Sequence, residues 1–428
     1  MKKKAFLNDD TAKADRSVIL QDTLLNGADL ALGVCGSIAA VETVKLIRQL
    51  RRHGAKVTVY ATKDALAFVS KRSLAWASEQ EVVVDFGQEA THVFSHDLLL
   101  IAPITLNHLT KIANGLADDV ITALCQSLLG FRNLNQDKKL KKPQMLIAPC
   151  MHLSMAASPA YQKALETLSS WGVVLIDPII EENKCKLPTI DRLCDCVIRE
   201  YQIFSQTDQS NQLDKKNILI TAGAVSVALD DVRVLTNRAS GKTGYALARY
   251  AFYQGAKVHL LTHKDFSHSQ DDGFANFFYY KDYENYKEIL FNLLKENKID
   301  MAIFTAAVSD FHFEKVIKGK MDSKSSHQIT LAPADKIIDL VHKQFPALKI
   351  VAFKLNSFSS KEELKKTILQ IFEKNNYHAV VGTDSGVFHS ASSVFEKRMV
   401  AFKKDGKSVV AEVDDARSLA DVLFKLPI

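Results

Sequence analysis

A chain of 428 residues is too long for one hydrophobic core, which stops growing at roughly 250–300 residues, so two domains are expected. Hydrophobic residues make up 47% and charged residues 24%, a balance that excludes a fibrous or disordered chain. The formal net charge of +6 suits phosphorylated small ligands and is too diffuse to argue for nucleic acid.

The six cysteines, Cys35, Cys125, Cys150, Cys185, Cys194 and Cys196, show no CxxC spacing and are too sparse for a disulfide framework, so a reducing cytoplasm is expected. The chain opens on MKKK, but Asp9 and Asp10 interrupt it before any apolar signal region forms. No apolar run reaches the roughly 18 residues that span a bilayer, and no membrane association is expected.

In chain order, DLALGV (29–34) reads as a buried strand and AAVETVKLIRQLRRHG (39–54) as an amphipathic helix ending at Gly54. AKVTVYAT, DLLLIAP (97–103), QMLIAP (144–149) and WGVVLIDP (171–178) supply the further strands of the first half. The polar stretch YQIFSQTDQSNQLDKK (201–216) reads as a linker. Beyond it KNILITAG, VHLLTH, MAIFTAAV, KIVAF and AVVGTD are strands, and SGKTGYALARYAFYQGAK opens a helix that runs to Gly255. This alternation predicts an α/β protein of two doubly wound, Rossmann-like domains with mainly parallel sheets, at 26–200 and 216–428, joined by a linker at 201–215. In such sheets ligands gather at the carboxyl ends of strands.

Two turns stand at such ends. In GVCGSIAA (33–40), Gly36 permits close backbone approach, Ser37 offers a hydroxyl, and the helix start offers unpaired N–H groups, which together favour a phosphate or simply cap the helix. In the second half a glycine turn follows a strand, and Ser240-Gly241-Lys242-Thr243-Gly244 opens a helix as a further anion site. It is not a Walker A loop, because Thr236 occupies the place of its first glycine, and GxGxxG is missing too.

The first half resembles the flavin-dependent cysteine decarboxylases, in particular the decarboxylase half of the bifunctional coenzyme A biosynthesis flavoproteins. That family shows a GSIAA-type turn, a PATANT-type loop and a KxAxGxADD helix; here they read GSIAA, PITLNH and KIANGLADD. The resemblance implies FMN with its phosphate against Gly36, Ser37 and Ile38, and with Thr62, Thr105, Asn107 and Met151 as further cofactor contacts. Asp118 and Asp119 are either a solvated helix-end pair or part of a subunit contact. The family's catalytic histidine precedes the PATANT strand; His92 in THVFSHDLLLIAP is the candidate, three residues short of the family spacing, with His96 as a fallback. A histidine there would act as a base near neutral pH.

The family's PxMNxxMW turn, whose Asn contacts the substrate carboxylate, is PCMHLSMA here, so His152 takes the Asn position and is expected to anchor that carboxylate. If protonated, it would add a charge-assisted contact. The family's glycine-rich flap, whose Cys donates a proton, is NKCKLPTIDR: Cys185 and Arg192 keep their separation, all three glycines are gone, and Pro188 should stiffen the segment. Lys184 and Lys186 are expected to favour the Cys185 thiolate.

The second half resembles the phosphopantothenate–cysteine ligase half of the same proteins through TAGAVSVALDDVRVLTNRASGKTGYALA, which keeps Thr221, Ala222, Gly223, Asp230, Val232, Arg233, Asn237, Ser240, Gly241, Lys242 and Gly244 of the family pattern. The resemblance implies CTP as co-substrate and nucleotide contacts at Gly223, Ser240, Gly241, Ala306, Asp310, Phe353 and Lys374. Asp310 is the expected ligand of Mg2+. Arg233 and Asn237 are expected to hold an acyl-cytidylate, and Lys320 to neutralise its charge. Departures fall at Val225-Ser226-Val227, where the family has TxE, at the lysine strip, here KMDS, and at VVGTDSG. Ligation of 4'-phosphopantothenate with cysteine, then decarboxylation to 4'-phosphopantetheine, is the implied function, in a homo-oligomer. A diverged relative that keeps flavin or nucleotide binding for a regulatory or partner-binding role is the alternative.

Overall fold

The computed structural model describes residues 16–87, 90–134, 142–205, 213–263, 273–322, 324, 326–356, 360–384 and 398–426. Residues 1–15, the linker's middle at 206–212, Ser323 of the lysine strip and 385–386 of VVGTDSG lie outside them. The chain divides into two compact units, Met1–Asp208 and Gln209–Ile428.

The first unit runs β1 (Asp29–Val34), a 3-10 turn (Ile38–Glu42), α1 (Thr43–Arg52), β2 (Lys56–Ala61), α2 (Lys71–Ser78), β3 (Leu98–Ile104), α3 (Leu106–Ala113), α4 (Val120–Leu134) and β4 (Gln144–Pro149). Then come β5 (Met151–His152), α5 (Leu153–Ala156), α6 (Pro159–Ser170), β6 (Val174–Leu175), β7 (Ile179–Glu181), β8 (Lys184–Lys186) and α7 (Ile190–Ser205). The main sheet has the order β2-β1-β3-β4-β6, all parallel. All seven residues of β3 are buried, which is why it reads as an unbroken apolar run: helices cover both faces. One cover is α1, whose Leu46, Ile47 and Leu50 are each at most 1% exposed, and each such side chain contributes roughly 1.5–3 kcal/mol.

The strand order reverses between β1 and β3, so their carboxyl ends open a crevice. Helix α7 continues to Ser205, into the stretch expected as linker. Its last turn is tied down by Tyr201 Oη donating to the Asn26 carbonyl and Gln202 Nε2 donating to that of Leu24.

The second unit comprises β9 (Asn217–Thr221), β10 (Ala224–Val225), β11 (Val227–Ala228), β12 (Val234–Leu235), α8 (Lys242–Tyr253), β13 (Lys257–His263), β14 (Asn276–Tyr280), α9 (Tyr283–Glu296), β15 (Met301–Phe304), β16 (Ala307–Val308), β17 (Phe311–Phe313) and β18 (Leu331–Pro333). It ends with α10 (Ile337–Gln344), β19 (Lys349–Asn356), α11 (Lys361–Asn375), β20 (Ala379–Asp384), β21 (Arg398–Lys404), β22 (Lys407–Val413) and α12 (Ala416–Leu423). The large sheet has the order β14-β13-β9-β15-β19-β20-β21-β22. Its first six strands are parallel in the dinucleotide-fold arrangement, and β21 and β22 close it as an antiparallel hairpin. Here the order reverses between β9 and β15, which places the second crevice after Thr221 and Phe304.

Candidate active sites

In the first unit the turn after β1 reaches across to the loop after β3. The Cys35 N–H donates to the Pro103 carbonyl (3.1 Å) and the Thr62 N–H to that of Val34 (3.0 Å). Ser37 Oγ accepts from the Ala39 N–H and donates toward Cys150 Sγ at 3.7 Å. Gly36 is needed for packing: a Cβ there would lie 2.5 Å from Asp64 Cβ. Among the described residues, the N–H groups of Gly36, Ser37 and Ile38 meet no protein acceptor. Three successive free donors at the end of a strand form an anion nest, and this donor set fits a flavin phosphate. Thr62, 8% exposed, takes the Ala65 N–H and shapes the neighbouring turn. Thr105 caps α3, and Asn107 lies exposed in that helix's first turn.

The opening of the second loop and the cysteine flap come together. β5 pairs antiparallel with β8, Met151 facing Cys185 and His152 facing Lys184, and β7 lies beyond. The thiolate expected at Cys185 is disfavoured. Strand pleating sends Lys184 and Lys186 to the face opposite Cys185, and Lys186 is engaged by Glu181 and Glu182 at 2.8 Å each. Cys185 itself is 3% exposed, and burial, then the nearby Cys150, pushes its thiol up. Tyr161 of α6 shares this neighbourhood; burial, Cys185 and Asp177 push its hydroxyl up to about 12. The missing glycines are explained as well, because the flap here is a paired strand followed directly by α7.

His152 caps α5, its Nδ1 accepting the Ser154 N–H at 3.3 Å with Ser154 Oγ at 2.9 Å. Nδ1 is thereby engaged in the cap, which leaves Nε2 for a ligand. His92 is exposed, its ring edge-on to Phe86 at 6.0 Å, and no contact among the described residues joins it to Cys185 or His152. His96 is a packing residue: Nε2 lies 3.0 Å from Tyr60 Oη and Nδ1 3.2 Å from Asp29 at the start of β1. That start is the sheet end opposite the crevice.

The acidic pair has local roles. Asp118 binds Lys111 at 2.8 Å. Asp119 caps α4 by accepting the N–H groups of Ile121 and Thr122, and its other oxygen lies 3.0 Å from His108 Nε2. The last residue of the PATANT-type loop is His in place of Thr, a signal that sequence reasoning passed over. His108 is 6% exposed and stacks its contacts between Asp119, Cys35 and Thr105.

In the second unit, Gly223 has φ +89 and a Cβ there would come within 3.2 Å of Tyr280 Oη, so only glycine fits the turn. Ala306 and Ala307 are held beside it: the Ala306 N–H donates to Thr221 Oγ1 and the Ala307 N–H to the Gly223 carbonyl. Gly241 has φ +74 and caps α8 directly after the exposed Ser240. Asn237 Nδ2 donates to the Ala307 and Val308 carbonyls at 3.3 and 3.2 Å, which joins the loop before α8 to the loop after β15.

Asp230 is the organiser that sequence reasoning kept without a role. Its buried carboxylate accepts the N–H groups of Val232, Arg233 and Met321 and the Arg233 guanidinium. These hydrogen bonds hold it far below the usual carboxylate range. Asp231 and Gly319 exchange two further bonds. The backbone on either side of the exposed Lys320 is thereby held, and the Arg233 guanidinium donates to the Met321 carbonyl at 3.4 Å.

Asp310 is exposed at the strand end, and no cluster of three or more metal-binding side chains exists among the described residues. Mg2+ there would take phosphate oxygens and water beside one carboxylate. Phe353 packs partly into the core beside α8. Lys374, in the last turn of α11, stands at the amino end of the parallel strands, where the His378 N–H meets the Ile350 carbonyl at the start of β19. It is not brought to the crevice. Val225 and Val227 are buried in the core around Tyr280 and Tyr286, and Ser226 is 5% exposed, so the TxE replacement turned a polar loop into packing.

Two doubly wound units, one with a phosphate-ready turn beside a paired thiol strand and one with a cationic clasp beside a glycine turn, define a flavoprotein unit fused to an anion-handling α/β unit. The family described as Flavoprotein matches residues 20–202, and that described as DNA/pantothenate metabolism flavoprotein C-terminal domain matches residues 213–426. The coenzyme A biosynthesis bifunctional protein CoaBC of Thermococcus kodakarensis is 32% identical over 373 residues, 86% of this chain and 87% of that protein. Its namesake in Bacillus subtilis is 31% identical over 308 residues, 70% and 72% of the two chains. Among solved structures, the FMN-dependent cysteine decarboxylase SpaF is matched at 26% identity and TM-score 0.37, over 42% of this chain and 99% of that one. The chain belongs to the family of bifunctional coenzyme A biosynthesis flavoproteins.

Proposed function

We propose that the chain catalyses two consecutive steps of coenzyme A biosynthesis: CTP-dependent ligation of 4'-phosphopantothenate with cysteine, then FMN-dependent decarboxylation of the product to 4'-phosphopantetheine. The reading is supported by the pairing of β5 with β8, which holds the turn that carries His152 against the strand that carries Cys185, His152 on the face of Lys184 and Cys185 on the face of Met151. FMN, when bound, would accept two electrons from the substrate, which makes the carboxylate labile, and would return them to the decarboxylated product. His152 would orient the substrate carboxylate through Nε2. Cys185, kept as a thiol by burial, has the proton to give at neutral pH.

In the ligase unit, Arg233 and Lys320 would neutralise the activated acyl group while Asn237 orients it, and Asp310 would hold Mg2+ on the nucleotide phosphates. Gly223, Ser240, Gly241 and Ala306 would line the nucleotide. No described helix is long and apolar enough to cross a membrane, and all six cysteines are free thiols, which supports work in a reducing cytoplasm. The resemblance also implies a homo-oligomer, which light scattering of the purified chain tests.

The deciding experiment incubates purified, yellow protein with 4'-phosphopantothenate, cysteine, CTP and magnesium. Pyrophosphate and carbon dioxide should both be released. Flavin bound with neither product formed would sink the reading.

A further inference from the structure

His108 is the buried titratable group that the proposed chemistry leaves unused, and its surroundings are specific. It lies in the first turn of α3, 6% exposed, directly beside the crevice where β1 and β3 diverge. Nε2 is 3.0 Å from Asp119 Oδ2, and Nδ1 is 3.1 Å from Thr105 Oγ1. Asp119 Oδ1 is occupied by two backbone N–H groups, so this carboxylate is an ionised acceptor and Nε2 must carry hydrogen.

That leaves one question, the state of Nδ1. If Nδ1 is bare, it accepts the Thr105 hydroxyl hydrogen and turns it inward. If Nδ1 carries hydrogen, Thr105 Oγ1 accepts from it, and the hydroxyl hydrogen must point away. Burial opposes the charged ring, but the Asp119 carboxylate and the Cys35 sulfur outweigh it and hold the imidazole far above its ordinary value. The other charged groups nearby, Lys111 and Asp118, neutralise each other.

We propose that His108 is a positioning residue of the flavin site: clamped as an imidazolium by Asp119, it donates to Thr105 Oγ1 and so fixes the Thr105 hydroxyl as an outward hydrogen-bond donor to the bound flavin. The inference rests on the flavin reading of this crevice. A histidine at 108 has the reach to use Asp119 as counter-charge and Thr105 as relay, which a threonine at that place lacks.

Two measurements on the full chain test it. Nitrogen-15 NMR of the histidine rings at pH 7.5, without flavin, should show both His108 nitrogens protonated; a bare Nδ1 overturns the inference. FMN titration by fluorescence quenching then compares the wild type with His108→Gln, Thr105→Val and the double variant. Each single change should weaken FMN by about tenfold, the loss of roughly one hydrogen bond. The double variant should be no weaker than Thr105→Val alone, because His108 acts through Thr105. Additive losses overturn the inference. His108→Thr, with the residue that the PATANT-type loop carries there, serves if His108→Gln does not fold. A wild type that binds no FMN removes the flavin reading itself, an outcome distinct from additive losses on a binding wild type.

Discussion

At the scale of single residues, His152 and Cys185 show how far type and spacing carry an argument. Spacing put them in two segments that the fold pairs, but their surroundings are set by neighbours that spacing does not reveal. Nδ1 of His152 is committed as a helix cap, a role that asparagine fills equally well. His152→Asn should therefore preserve or raise decarboxylation and leave stability unchanged. His152→Ala should cost about 1 kcal/mol in urea denaturation through loss of the cap. A large activity loss in His152→Asn would show that the imidazole does more than anchor. Cys185 looked activated because two lysines flank it in sequence, and strand pleating reverses that inference. In the flavin-free protein Cys185 should react with iodoacetamide at pH 7.5 at least tenfold slower than a free thiol, followed by peptide mass spectrometry. His108 and Asp230 were legible only as letters. Their partners, Asp119 and Met321, are brought to them by the fold.

At the scale of elements, strands were easy to read because buried parallel strands leave unbroken apolar runs, as β3 does. What escaped was short or cooperative: the two-residue β5, the paired β8, and the way α3 and α4 are joined by His108 and Asp119. This joint makes stability depend on pH. The folded state holds the His108 proton up to about 10 against an ordinary 6.5, so the joint contributes fully below pH 6.5 and fades as pH rises toward 10. Asp119, held down to about 2 from 3.8, keeps its own contribution until strongly acidic pH. The stability gap between wild type and His108→Gln, measured by urea unfolding without flavin, should be largest near pH 6 and should shrink steadily by pH 10. A gap that is flat across that range would mean the ring is neutral when folded. The stretch 201–205 was read as linker on polarity alone. Tyr201 and Gln202 are polar because they tie α7 to backbone carbonyls near the start of the unit.

At the scale of the whole molecule, length and the restart of the strand–helix pattern were enough to call two units, because each must close its own core. Each unit has a crevice where its strand order reverses. Calorimetry of the full chain should show two transitions. FMN at a hundredfold excess over its Kd should stabilise one of them by about 2.7 kcal/mol, and CTP with magnesium the other. A single transition raised by both ligands would contradict independent units. The Asp230 clasp has a kinetic meaning here. Because one carboxylate closes the loop during folding, Arg233 and the backbone of Met321 are already joined before any nucleotide arrives. A clasp held before the nucleotide arrives lowers the ordering cost of the encounter at Arg233, and the attraction between cations and a polyphosphate adds to its rate. On-rates should therefore follow ionic strength.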